Sequence, residues 1–281
     1  MQNIHIICYT NCQSYGIIPN LELNLTHTTI YHLINFQYIN EKKSLPIDIL
    51  NKCDIFIYQP IDKKHNIYST EYCDMQNIVS YLPKNCLKIS FPYIYNSGVW
   101  GITKDSIKND DGTTQGNRDI ILKLKKENSL EQIIQMYFDN QIDFKYKSRF
   151  DCSIQKLKEK EKKCDICISN FIEQNISKTK LFYTQNHPTP FLFNYVSKGI
   201  LDIIKTMYPN YFLTPDSYLY VSSNSLCNGP KWPISKSDIL YWNFEYTNVP
   251  DSDADNYYID LISTYYNHQM NENDGEPDVY Y

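Results

Sequence analysis

Between residues 3 and 94, short apolar runs alternate with segments of helical spacing, and this alternation constrains the fold more than any other feature. "NIHIICYT" (3–10), "TTIYHLINFQ" (28–37), "DIFIYQPI" (54–61) and "CLKISFPYI" (86–94) are rich in β-branched and aromatic residues and read as strands. The segments between them read as helices: "SYGIIPNLELN" (14–24), "SLPIDILNKC" (44–53, with Ser44 as N-cap) and "STEYCDMQNIVSYLP" (69–83, stopped before Pro83). A β-α-β-α-β-α-β order implies parallel strands with crossover helices, so the expected class is α/β. In such sheets ligands bind outside the carboxyl ends of the strands. The stretches to search are therefore 10–16, 59–64 and 92–101.

Beyond residue 101 a loop is expected at 104–119, followed by helices in "RDIILKLKKEN" and at 129–142. One long helix is expected over 148–176, because Ile154, Leu157, Cys164, Ile168, Phe171 and Ile172 recur at helical spacing. Strand and loop return at 180–190, an apolar helix follows at 189–209, and another helix is expected at 254–268. With 281 residues the chain suits one large domain. Its expected organisation is an α/β catalytic unit over 1–209 with a helical insertion at about 104–176. A C-terminal extension over 210–270 packs on the same domain, and 271–281 form a disordered tail.

Several function classes are disfavoured. A net charge of −5 leaves no basic excess to neutralise phosphates, so general nucleic-acid binding is not expected. No run approaches the ~20 apolar residues that span a bilayer. Nine cysteines, an odd number in a long chain whose start does not read as a signal peptide, point to free thiols in a reducing cytoplasm. The skew toward Ile, Asn, Lys and Tyr, with only two arginines, Arg118 and Arg149, resembles an AT-rich coding sequence. Large DNA viruses are one source of such sequences, and there the compartment would be the host cytoplasm. The chain lacks G-x-G-x-x-G, G-x₄-G-K-[ST] and a Cys-x₅-Arg loop, which argues against a dinucleotide enzyme, an NTPase or a cysteine phosphatase. Cys164 and Cys167 form a C-x-x-C inside a helical pattern, with no second ligand pair at zinc spacing. A packing role is expected for them, and no metal site.

Cys12 stands between two amides, Asn11 and Gln13, at the exit of the first strand. A helix N-terminus there can help ionise a thiol, and turn N–H groups can hold an oxyanion. The alternative is a half-buried small residue in an ordinary connection. His187 occupies a second exit, after the strand-like "KLFYT" and before the apolar helix, in what is expected to be a late strand of the same sheet. If the two exits adjoin, Cys12 and His187 meet.

"TNCQSYGIIPNL" resembles the G-N-C-Q-x-x-x-L start of the WcbI-type polysaccharide-biosynthesis acetyltransferases. "CDIFIYQPI", "SFPYIYNSGVWG", the 148–172 segment and "LFYTQNHPTPFLFNYVSKGIL" resemble later parts of that family in the same order, over roughly residues 3 to 245. The resemblance implies a three-layer, SGNH/flavodoxin-like parallel sheet, with a helical insertion and an irregular C-terminal segment. It also implies coenzyme A binding, acetylation of a sugar, and Asn11, Cys12, Gln13 and His187 as site positions. Two departures stand out. Thr10 replaces the family's glycine, and Thr184 stands where an SGNH triad has its acid, so no third triad member is identified.

The expected function is therefore acetyl transfer from acetyl-CoA to a hydroxyl or amino group of a sugar or nucleotide-sugar in surface-glycan biosynthesis. His187 serves as general base, and Cys12 is either a nucleophile or part of the oxyanion site. Phosphate contacts are expected from Lys145, Lys147 and above all Arg149, whose guanidinium can bind bidentately. Asn96, Ser97 and Gly98 are candidate cofactor contacts, and Trp100 either flanks a substrate or belongs to the core. An esterase or deacetylase of the same fold and a non-catalytic glycan- or nucleotide-binding module remain alternatives. The chain is compatible with a homo-oligomer or with fusion to a glycosyltransferase domain.

Overall fold

The computed structural model describes residues 1–71, 76–103, 118–214, 217–223 and 225–267. Strands β1 (Ile4–Thr10), β2 (Thr28–Ile34), β3 (Ile55–Tyr58) and β4 (Leu87–Ser90) form one parallel sheet in the order β2-β1-β3-β4. This is the strand order of flavodoxin-like sheets, which reverses direction beside β1. Because β1 is central, both its faces are buried. Ile4, Ile6 and Cys8 enter one core, and Ile7 and Tyr9 enter the other. A strand buried on both sides reads as a near-continuous apolar run, as "IHIICYT" does.

Helix α1 (Ser14–Asn24) covers the first face. Helices α2 (Asn35–Asn40) and α3 (Ile47–Leu50), with 3₁₀ turns at Lys63–Tyr68 and Ile78–Tyr81, cover the second around Leu50, Phe56 and Ile78. Helices α4 (Arg118–Leu124) and α5 (Leu130–Phe138) follow β4. Then α6 (Tyr146–Glu161) and α7 (Ser169–Asn175) return to the first face. After β5 (Phe182–Thr184) and β6 (His187–Pro188), α8 (Pro190–Met207) buries Leu192, Phe193, Val196, Ile200, Leu201 and Ile204 along one stripe. It lies against α1 so closely that a Cβ at Gly16 would stand 2.2 Å from the Phe193 ring, so that contact requires a glycine.

Helices α9 (Lys236–Trp242) and α10 (Ala254–Asn267) complete the chain. α10 shares a separate core with α4 and α5, which also takes in Ile102, Phe144 and Tyr146. Buried Asp238 of α9 ties this core to the loop after β4. It accepts from Gly101 N–H and the Tyr146 hydroxyl at 2.7 Å and from the Tyr258 hydroxyl at 3.3 Å.

Several expected elements change. The 148–176 helix is two helices, α6 and α7. Between them, the N–H groups of Asp165 and Ile166 donate to the Ser90 carbonyl at 3.1 Å, and Glu161 accepts from the N–H groups of Ile168 and Ser169. Docking onto the end of β4 breaks the helix, and Glu161 caps the second one. Cys164 and Cys167 lie in this break rather than in a helix, with Cys167 exposed. The helix expected at 69–83 is replaced, among the described residues, by one 3₁₀ turn capped reciprocally by Asn77 and Ser80. Ser44 caps nothing, because α3 begins after Pro46. Strand β2 ends at Ile34, and residues 35–40 turn into α2. β5 is not part of the parallel sheet; it pairs antiparallel with β6. The loop expected at 104–119 lies outside the described residues except Arg118 and Asp119, which open α4, and the tail expected at 271–281 lies wholly outside them.

Candidate active site

The chain leaves β1 at Thr10 and enters α1 at Ser14, so Asn11, Cys12 and Gln13 form the turn. Gln13 is fully buried, and its side chain is the hub of the region. Its Nε2 donates to the carbonyls of Ile94 at 2.7 Å and Asn186 at 2.9 Å. Its Oε1 accepts from Ile94 N–H at 3.1 Å and from Gln59 Nε2 at 2.9 Å. Gln59 Oε1 in turn accepts from Asn11 N–H at 2.9 Å. One side chain thus joins the exits of β1, β3 and β4 to the segment that carries His187.

Both amide hydrogens of Gln13 are committed to carbonyls, which corrects the expectation of a free side-chain donor there. Asn11 differs. Its Oδ1 accepts from Gln13 N–H at 2.9 Å, while its Nδ2 has no hydrogen-bond partner among the described residues. Of the two amides flanking the thiol, Asn11 keeps donor capacity.

Cys12 is half-buried, and burial pushes its thiol pKa up, although a hydrogen bond from its own backbone N–H pulls the other way. The helix N-terminus does not win this balance as expected: desolvation dominates, and the thiol stays protonated near neutrality. His187 is also half-buried, and desolvation alone depresses its pKa, so the ring is neutral at pH 7. Its Nδ1 is buried with no hydrogen-bond partner. The strand expected before His187 in the main sheet is instead β5, which pairs antiparallel with the two-residue β6 that begins at His187, and the Thr184 hydroxyl donates to Asn186 Oδ1 at 3.0 Å. The segment is held to the sheet by Gln13 and by Asn96 N–H, which donates to the Gln185 carbonyl at 2.8 Å.

Beside this turn, at the carboxyl ends of β3 and β4, lies a cleft of about 330 Å³. Gln59, Pro60, Pro92 and Tyr93 line it, together with Lys64, Lys160 and Lys163 and with Asp62, Glu71 and Glu159. Lys163 pairs with Glu71 at 2.9 Å, and Lys160 lies over the Tyr93 ring, 5.7 Å from its centroid. Cys12 does not line the cleft, but Gln59, bonded to Asn11 and Gln13, does.

The expected phosphate clamp is placed otherwise. The Arg149 guanidinium reaches the carbonyls of Trp100 and Phe144 at 3.0 Å, Gly101 at 3.3 Å and Ser97. Burial, which disfavours the charged form, lowers its pKa to about 10. Lys147 is exposed and pairs with Asp151 at 2.6 Å, and Lys145 pairs with Asp143. Asn96 folds an Asx turn onto Gly98 N–H at 2.8 Å, and Ser97 bonds Ser153 of α6. A Cβ at Gly98 would stand 2.4 Å from Phe150 N, so α6 seals this stretch. Trp100 is buried edge-on to Trp232 at 5.2 Å and belongs to the core. The 96–101 loop and Arg149 therefore shape the wall behind the site.

Sequence reasoning missed the cleft lysines 64, 160 and 163, two of them at the far end of α6, and the bridging role of Gln59. Gln59 and Lys64 bound one of the strand exits searched, so position carried a signal for both. No local signal marked Lys160 or Lys163. His32 of β2 contacts Ser14 Oγ through Nε2. Among the described residues no three His, Cys, Asp or Glu side chains gather as a metal-ligand set, and no helix is long and apolar enough to cross a membrane.

The geometry has counterparts in known proteins. A comparison with the curated proteins gives no match. A solved structure of WcbI matches with a TM-score of 0.60 at 14% identity, covering 94% of this chain and 90% of that one. It is described as a novel polysaccharide biosynthesis enzyme, in a native form without a disulfide bond between coenzyme A and one of its cysteines. The family model for the polysaccharide biosynthesis enzyme WcbI matches residues 5–206. That match runs from β1 to the end of α8, well over half of the chain, and the protein belongs to the WcbI family of polysaccharide biosynthesis enzymes.

Proposed function

We propose that the protein is an acyltransferase that moves an acetyl group from acetyl-CoA to a hydroxyl or amino group of a sugar or nucleotide-sugar. One observation carries the reading. Gln13 brings the turn holding Asn11 and Cys12 against the segment holding His187, at strand exits that border a lysine-bearing cleft. The cleft fits part of coenzyme A in size, since ligand pockets start at about 300 Å³, and its lysines offer phosphate contacts although three carboxylates balance them in charge. Lys64, Lys160 and Lys163 are its candidate phosphate contacts. The coenzyme A named with the WcbI structure supports testing this ligand first.

In the proposed reaction neutral His187 takes the proton of the acceptor as its oxygen or nitrogen attacks the thioester carbonyl. The new C–O or C–N bond forms, the C–S bond breaks, and the proton passes on to the leaving thiolate of coenzyme A. Asn11 Nδ2 and Cys12 N–H are the donors for the transient oxyanion. Direct transfer is favoured over an acetyl-cysteine intermediate. The Cys12 thiol is held protonated by burial, and exchanging one thioester for another gains little.

The test is a thermal-shift titration with coenzyme A, followed by mass spectrometry of products from acetyl-CoA and a panel of amino- and deoxy-sugar nucleotides. Stabilisation at millimolar ligand and a sugar product 42 Da heavier, the roughly 0.04 kDa of one acetyl group, are expected. Absence of stabilisation overturns the reading. Acetate released from an acetylated sugar without coenzyme A replaces it with a hydrolase.

A further inference from the structure

A second pair of chemistry-bearing side chains lies behind the Cys12 turn and has no part in the mechanism above. His32 sits on edge strand β2, opposite Cys8 of β1, on the face covered by α1. Its Nε2 contacts the hydroxyl of Ser14, the first residue of α1. Tyr15 closes over the imidazole edge-on, with ring centroids 4.7 Å apart. Ser14 is buried, which keeps its hydroxyl from acting as a nucleophile.

Ser14 Oγ lies 3.0 Å from the Asn11 carbonyl, and we assign its single hydroxyl hydrogen to that acceptor. With that assignment His32 Nε2 is the donor to Ser14, and the ring is the Nε2–H tautomer. Burial lowers the His32 pKa, in keeping with a neutral ring. The relay His32 Nε2–H to Ser14 Oγ–H to Asn11 O ends on a carbonyl that also accepts from Thr10 Oγ1 at 2.9 Å and Ser14 N–H at 3.3 Å. The peptide between Asn11 and Cys12 is trans, so its N–H points opposite to its C=O. Three donors hold the carbonyl toward α1, and the Cys12 N–H is therefore aimed the other way, toward its own thiol.

We propose that His32 and Ser14 are positioning residues that lock the Asn11–Cys12 peptide, so that Cys12 N–H faces the reacting carbonyl as an oxyanion donor. The inference rests on the acyl-transfer reading. Without the relay the carbonyl keeps Thr10 and Ser14 N–H but loses the hydroxyl that ties it to the sheet edge. The peptide can then rock, and mispositioning an oxyanion donor costs on the order of 10²-fold in rate.

Two measurements decide the question. Histidine side-chain ¹⁵N NMR of the full-length protein at pH 7 is expected to show His32 as the neutral Nε2–H tautomer. An Nδ1–H tautomer or an imidazolium overturns the relay. In steady-state kinetics with acetyl-CoA and the confirmed acceptor, Ser14→Ala and His32→Ala are expected to lower kcat per folded molecule by on the order of 10²-fold, with KM for acetyl-CoA unchanged and Tm lowered only modestly. His32→Gln, which keeps a donor near the Nε2 position, is expected to recover about tenfold of that loss. Wild-type kcat in Ser14→Ala overturns the proposal, as does a fall in kcat that is matched by a fall in Tm and not rescued by glutamine. If His32→Ala fails to fold, Ser14→Ala, which removes one oxygen atom, decides alone. If the wild type transfers no acyl group, the functional reading has failed and the relay is judged on the tautomer.

Discussion

The side chain of Gln13 donates to the backbone carbonyl of Asn186 at 2.9 Å, a hydrogen bond that spans 173 residues of sequence. Each partner adjoins a residue of the candidate chemistry, Cys12 on one side and His187 on the other. The contact is partly buried, and the amide that makes it also serves Ile94 and Gln59. The two halves of the site are therefore held by one residue that has no free hydrogen left for a substrate.

Gln13→Ala strips partners from Gln59, from both backbone groups of Ile94 and from the Asn186 carbonyl. Each buried group left unpaired costs about 1–3 kcal/mol, partly recovered by water. Urea unfolding is expected to show a loss of about 3 kcal/mol, with turnover falling in the fraction that remains folded. A loss within 0.5 kcal/mol, roughly the scatter of surface substitutions, would remove Gln13 as the hub.

His187 should govern the acid limb of activity. Its folded pKa lies below the ordinary 6.5 because burial disfavours the imidazolium. The base is thus neutral and competent at pH 7, and kcat/KM should fall only as pH drops below 6.5 through the depressed value. Stability follows the same sign. Below 6.5 the unfolded chain binds a proton that folded His187 refuses, so stability present above that value is lost as pH falls. His187→Ala is expected to lower kcat by about 10²–10⁴-fold and to abolish the acid limb. A limb that persists in that variant belongs to another group.

Arg149 should behave as a strut. Its guanidinium is spent on backbone carbonyls of the 97–101 loop and Phe144. Arg149→Lys cannot reproduce the planar fork, and a loss of about 2 kcal/mol is expected. Coenzyme A affinity of the folded variant, read by isothermal titration calorimetry, is expected to match wild type. A selective loss of affinity with unchanged stability would restore Arg149 as a phosphate ligand.

The cleft lysines should carry the anion dependence instead. Lys64→Glu and Lys160→Glu are each expected to weaken coenzyme A about tenfold, the loss of a charge-assisted contact of about 1.5 kcal/mol. The deficit should shrink at high salt, where exposed charges are screened. An unchanged Kd at low salt in both variants would move the ligand out of this cleft.

The sequence by itself determined the parallel sheet and the location of its exits. Strand β1 is apolar on both faces because it is buried on both, and α8 shows its core stripe in residue spacing alone. Both signals are local, so they can be read before any contact is known. The Asn11-Cys12-Gln13 turn and His187 were also legible, as polar residues placed where strands end.

Only the tertiary structure decided what those residues do. Gln13 and Asn11 are both amides beside one cysteine, and no pattern distinguishes them. Four distant carbonyl and amide groups, on Gln59, Ile94 and Asn186, consume one and leave the other with a donor. Arg149 drew attention as one of two arginines, yet all but one of the carbonyls it meets come from a loop some fifty residues earlier. The C-x-x-C sits in a break because the end of β4 offers Ser90 to Asp165, a contact that helical spacing cannot register. Periodicity reports which face of an element is buried. Hydrogen-bond partners brought together from remote segments decide which polar groups remain available for chemistry, and that is set only when the chain closes on itself.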